Sequence, residues 1–142
     1  MRSADFQLRT APTLDAVADG LERLEAWAMA AGVRFERRRE LLIVYDELAT
    51  NVAKYAAQAR ELVVRARRGA SGDVTLVVED DGAAFDPLAR EAAAPDRPLE
   101  EREPGGLGVL LVRELASKVS YRRDDERNQV EVELGTRAGT AC

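Results

Sequence analysis

The stretch Tyr45-Asp46-Glu47-Leu48-Ala49-Thr50-Asn51-Val52-Ala53-Lys54-Tyr55-Ala56 decides how this chain is read. Leu41, Val44, Tyr45, Leu48, Val52 and Tyr55 recur at helical spacing, which predicts a helix from about Arg34 to Ala59 with one apolar stripe. Glu47 and Asn51 stand four residues apart and share a face offset from that stripe. An asparagine inside a helix costs propensity relative to alanine, so something must offset it. A carboxylate and an amide oxygen one turn apart suit a hard cation such as Mg²⁺, or a base placed beside one. Taken alone, the pair also fits a polar surface stripe.

Upstream, Phe6 and Leu8 alternate with polar neighbours and predict a short first strand. Thr13 then caps a helix carrying Leu14, Val17, Leu21, Leu24, Ala28 and Met29, which Gly32 ends. Downstream, residues 61–68 and 73–80 are runs of strand type separated by Gly69-Ala70-Ser71-Gly72, the pattern of an antiparallel hairpin. Between Asp81 and Gly105 come Pro87, Pro95, Pro98 and Pro104, many charges and few large apolar residues. Loops of that length in a compact domain are usually functional lids or disordered segments. Residues 105–117 read as a helix entered through glycines. Residues 119–123 and 129–134 alternate as strands, joined by a polar turn from Asp124 to Asn128. The order is strand, helix, helix, strand, strand, lid, helix, strand, strand. It predicts a single domain over 1–142: a two-layer α/β (α+β) sandwich with a mixed, mainly antiparallel sheet and helices on one face.

Composition narrows the chemistry. The 142 residues are 46% hydrophobic but only 5% aromatic, so the core rests on Leu, Val, Ile and Ala. A net charge of -5 argues against non-specific nucleic-acid binding, which needs a basic field. Arginines cluster at 37–39, at 65, 67 and 68, and at 122–123. They read either as solvated residues balanced by nearby acids or as a patch for an acidic protein. The one cysteine, Cys142, excludes an internal disulfide. Histidine is absent, which removes Ser-His-Asp catalysis, His-ligated zinc and any phosphohistidine. No apolar run suits a bilayer and no signal-peptide core is present, so a cytoplasmic setting is expected, with no membrane partner.

Two further stretches carry chemistry. Val77-Val78-Glu79-Asp80-Asp81-Gly82 puts a carboxylate at a strand end, where it accepts from a ligand amine, and a glycine beside it where backbone can approach closely. Gly105-Gly106-Leu107-Gly108 opens a helix whose free N–H groups can face an anion. Singly, these also fit an acidic turn and a hinge.

Together and in order, the three stretches resemble the nucleotide-binding boxes of the gyrase, Hsp90, histidine-kinase and MutL ATPase superfamily. Within it, the chain is most similar to the anti-sigma-factor serine/threonine kinases of bacterial partner-switching systems. The resemblance rests on residues 46–56, 78–87, 98–123 and 128–134. It implies a Bergerat-type ATP-binding fold that uses ATP and Mg²⁺. Asn51 would hold the Mg²⁺ and Glu47 would be the general base. Asp80 would accept from the adenine amine, with Gly82 letting the chain pass close to the base. Gly106 and Gly108 would close over the phosphates, residues 88–105 would form the ATP lid, and Arg102 in it would contact phosphate. Implied partners are a STAS-domain anti-anti-sigma factor, a sigma factor or other regulatory target, and a second copy in a homodimer. Ala83-Ala84 departs from the pattern, since larger members of the superfamily often carry a second glycine there. Lys54, one turn after Asn51, is a candidate phosphate contact or a solvated lysine.

The expected function is therefore a kinase that phosphorylates a STAS-domain antagonist and switches between partners. The alternative is a non-catalytic, ATP-dependent sequestering module. A histidine-kinase fragment ranks last, because the chain has no histidine to carry phosphate.

Overall fold

A computed structural model describes residues 5–88 and 106–135 of the chain. The elements are β1 (Phe6–Thr10), α1 (Leu14–Ala30), α2 (Phe35–Tyr55), β2 (Leu62–Arg68), β3 (Val74–Asp80), α3 (Gly106–Leu115), β4 (Lys118–Asp124) and β5 (Arg127–Leu134). The strands form one five-stranded sheet in the order β1-β2-β3-β5-β4. All four pairings are antiparallel, in keeping with the mainly antiparallel sheet expected.

Strict alternation assigns the sheet's two faces. Leu8, Val64, Val78 and Val130 lie in register across four strands, as do Phe6, Ala66, Leu76 and Val132. This face is buried with Val17 and Leu24 of α1, Leu41, Val44, Tyr45 and Leu48 of α2, and Val112 of α3 in one apolar core. Burial of that continuous surface is the main term holding the two layers together.

Each helix is cut where the sequence supplies a stop. Thr13 Oγ1 accepts from Ala16 N at 3.2 Å and caps α1. Gly32, at φ +77°, takes the left-handed position that follows its last turn. Gly20 sits where α1 crosses α2, and Tyr45 Oη passes over it to donate to the Val17 carbonyl at 2.9 Å.

Two boundaries differ from expectation. The second helix stops at Tyr55 rather than Ala59: Ala56 leaves helical geometry at ψ 91° and Gln58 turns at φ +65°. That turn brings the Ala57 carbonyl to the N–H of Ala83, at 2.8 Å. The last turn is also tighter than Asp124 to Asn128. Asp125 and Glu126, at φ +53° and +60°, form a two-residue loop closed by the Asp124–Arg127 pair, so Arg127 and Asn128 are strand residues.

The outer face of the sheet is charged. Arg9 and Arg127 both bond Glu61, at 2.7 and 2.6 Å, while Arg127 and Arg65 both bond Glu79. Val63 lies in register between Arg9 and Glu79 on this face and is nonetheless fully buried. No helix among the described residues is long and apolar enough to cross a membrane.

Candidate functional site

The C-terminal half of α2, the end of β3 and the start of β5 converge on an open cleft. Its apolar walls are Leu48, Val52, Val78, Phe85, Pro87 and Val130, and its polar atoms come from Asn51, Asp80 and Asn128. These three are the buried polar residues among those described, at 6%, 5% and 3% exposure. Buried polar groups concentrated in one cleft mark a binding site more sharply than any exposed cluster does.

Asn51 is more buried than Val52 beside it on the predicted stripe. Among the described residues its side chain makes no hydrogen bond, and it lines the open cleft. Glu47 lies one turn earlier and is half-buried. Desolvation raises its carboxyl above the usual range; neighbouring Asp46 adds to the rise, and Lys54 opposes it.

Asp80 ends β3 on the inward face, in register with Asn128 of β5. Its Oδ1 accepts from Gly82 N at 2.8 Å and from Asn128 Nδ2 at 3.0 Å. Among the described residues its Oδ2 accepts no bond. Gly82 is packed so tightly that a Cβ would meet the Ala57 carbonyl oxygen at 2.7 Å. Asp81 points the other way and accepts from the N–H groups of Arg60 and Glu61, at 2.7 and 3.0 Å. The acidic run Glu79-Asp80-Asp81 thus divides its labour. Glu79 joins the outer ion chain, Asp80 faces the cleft, and Asp81 ties the strand end to the chain after α2.

The structure brings Asn51 and Asp80 together in the cleft wall and sets Gly82 beside Asp80. Gly106 and Gly108 are the first and third residues of α3, where helical N–H groups lack intrahelical partners. Arg102, and the expected lid apart from Leu88, lie outside the described residues. Sequence reasoning missed Asn128, which it assigned to a turn. The signal was present: Asn128 continues the inward alternation of Val130, Val132 and Leu134. It also missed the near-parallel stack of Tyr55 on Phe85, with ring centroids 6.4 Å apart, which backs the apolar wall.

Comparisons with known proteins agree with this architecture. The family model described as "Histidine kinase-like ATPase domain" matches residues 10–134. The serine/threonine-protein kinase BtrW of Bordetella bronchiseptica is 30% identical over 135 residues, covering 92% of this chain and 93% of BtrW. Among solved structures, the RsbU and RsbW domains of Rv1364c from Mycobacterium tuberculosis match with a TM-score of 0.64 at 15% identity, over 94% of this chain. The chain spans about a third (34%) of that longer protein. The SiaB–SiaC complex from Pseudomonas aeruginosa matches with a TM-score of 0.60 at 17% identity, covering 91% of this chain and 88% of the matched one. Both structural matches concern the fold, whereas the domain match and the BtrW relationship concern descent. Matched by that family model over residues 10–134, the chain belongs to the histidine kinase-like ATPase domain family, in which the serine/threonine kinase BtrW is a relative at 30% identity.

Proposed function

We propose that this chain binds Mg-ATP in the α2–β3–β5 cleft and passes the terminal phosphoryl group to a serine or threonine hydroxyl on a STAS-domain partner, switching between that partner and a sigma factor or other target. The carrying observation is the cleft itself, with the Asn51 amide, which has no hydrogen bond among the described residues, and a half-committed carboxylate, Asp80, in one apolar wall. An acceptor-only oxygen at Asp80 Oδ2 suits an exocyclic amine, and the apolar residues around it suit a planar base.

The residues present fit a Mg²⁺ carried in with the nucleotide. Among the described residues no cluster of three or more His, Cys, Asp or Glu makes a protein cage for a metal. Mg²⁺ needs none, since it is usually held by one or two side chains together with substrate phosphates. Asn51 Oδ1 is the side chain for that role. The bound ion supplies charge neutralisation across the phosphates. Glu47, raised above an ordinary glutamate, is a stronger proton acceptor for the attacking hydroxyl. The N–H groups of the α3 start, at Gly106 and Gly108, offer donors for phosphate oxygens. With Arg102 and the lid, they complete the proposed phosphate end.

Calorimetric titration with ATP, with and without Mg²⁺, tests the binding half; absence of nucleotide affinity overturns it. Mass spectrometry of a STAS-domain protein incubated with the chain and Mg-ATP tests the transfer half. Phosphate should appear on that protein with the native chain and not with Glu47→Gln, which should still bind ATP. Binding without transfer would favour a sequestering module instead.

A further inference from the structure

We propose that Asn128 is the positioning residue of the purine end of this cleft, and that Tyr121 and Arg123 on the edge strand β4 set it, so that the preference for a 6-amino purine is fixed from outside the cleft. The inference rests on the nucleotide reading above.

Asn128 is fully occupied. Its Nδ2 donates to Asp80 Oδ1 at 3.0 Å and to the Ala83 carbonyl at 2.8 Å. Its Oδ1 accepts from Tyr121 Oη at 2.6 Å, Arg123 Nη1 at 3.0 Å and Phe85 N at 3.2 Å. Three donors converge on the oxygen, and two acceptors on the nitrogen. Rotating the amide by half a turn would set oxygen against the Asp80 carboxylate and NH₂ against three donors. The amide therefore has one orientation.

That orientation has two consequences. It ties up Asp80 Oδ1 with a second donor beside Gly82 N, which leaves Oδ2 as the oxygen for a ligand. It also fastens the 82–85 loop at both ends, through the Ala83 carbonyl and the Phe85 N–H, so that Phe85 keeps its place in the cleft wall. Arg123 reinforces the same loop by donating to the Gly82 carbonyl at 3.1 Å. A fixed acceptor oxygen rewards a 6-amino group and repels a 6-oxo group. A carboxylate free to rotate loses that distinction, because it can turn to whatever donor the ligand offers.

Tyr121 and Arg123 belong to β4, which among the described residues pairs only with β5. The purine preference thus depends on residues that lie outside the cleft lining.

The test is a pair of titrations, ATP and ITP with Mg²⁺, on the native chain, Asn128→Ala and Tyr121→Phe. Thermal melting accompanies each, to check that the chain is folded. The readout is the ratio of the two affinities, because general loosening weakens both nucleotides alike. Asn128→Ala should lower the ATP-over-ITP ratio about tenfold or more, and Tyr121→Phe by roughly threefold. If Asn128→Ala does not fold, Tyr121→Phe decides alone, since it removes one oxygen at a half-buried position. An unchanged ratio in the folded variants overturns the proposal. A native chain that binds neither nucleotide overturns the nucleotide reading instead, so the two failures are distinguishable.

Discussion

Gly82 lies against the carbonyl of Ala57, which stands 2.7 Å from where a Cβ at position 82 would be. The contact is backbone against backbone, and the Ala57–Ala83 hydrogen bond beside it holds the two segments in place. Neither side can yield cheaply. Gly82→Ala should therefore lower the melting temperature by about 3–10 °C. Because the same Cβ would press on Asp80 Oδ1 at 3.1 Å, ATP affinity should also fall about tenfold. Melting and titration of the one variant check both, and an unchanged affinity would separate Gly82 from the ligand site.

Much of this arrangement was legible in the chain because its signals are local. Periodicity placed α1, α2 and the strands, and the spacing of Glu47 and Asn51 placed both on one helical face. What escaped depends on distant partners. Asn128 reads as a turn residue until Asp80, 48 positions earlier, is seen opposite it in register. Helical propensity carries α2 on past Tyr55, and only the demand of Ala83 for the Ala57 carbonyl shows why the chain turns. The apolar stripe hid that Asn51 would be more buried than Val52, because stripe width depends on how the sheet edge meets the helix.

Glu47 makes the acid limb of the proposed transfer reaction testable. Its raised carboxyl must lose a proton before it can accept one, so the limb should lie above the 4.5 of an ordinary glutamate. Desolvation is the main cause, with Asp46 raising further and Lys54 lowering. Asp46→Asn should therefore move the limb to lower pH, and Lys54→Met to higher pH. Initial rates of phosphate transfer across the acid range read these shifts. Opposite movements would refute the electrostatic account, and no movement would disconnect the limb from Glu47.

The ion chain on the outer face should matter through Arg127, the member that joins Glu61 to Glu79. Bonds from Arg127 and Arg9 hold the Glu61 carboxyl below its usual 4.5. A depressed carboxyl stabilises the fold above its unfolded value, and that contribution is lost as pH falls through the folded one. Arg127→Leu should lower the melting temperature by a few degrees at neutral pH and low salt. The deficit should shrink in about 1 M salt, where the Debye length is near 3 Å. It should also shrink as pH falls below 4.5 and the native chain loses the same contribution. A deficit independent of both would mean that Arg127 acts by packing rather than by charge.

Tyr45 is fully buried between α1 and α2, donating to the Val17 carbonyl above Gly20. Burial, with Asp46 and Asp19 adding to it, pushes its hydroxyl up to about 12 from 10.0. The folded state thus prefers the protonated phenol. Stability from this preference is complete below pH 10 and is lost as pH rises from 10 towards 12. Tyr45→Phe removes the titrating group. It should cost about 1 kcal/mol at pH 7, because one hydrogen bond is gone while the Val17 carbonyl keeps its place in α1. Above pH 10 the gap between variant and native chain should close, because the unfolded native chain ionises its phenol while the folded one still holds the proton. Gly20→Ala attacks the same joint from the other side: its Cβ would meet Tyr45 Oη and stand 2.8 Å from Leu8 Cδ2. It should destabilise the native chain more than it does Tyr45→Phe, since removal of the hydroxyl relieves half of the clash. Denaturant melts of the two single variants and the double variant measure that coupling, and simple additivity would show that Gly20 is not there to admit the tyrosine.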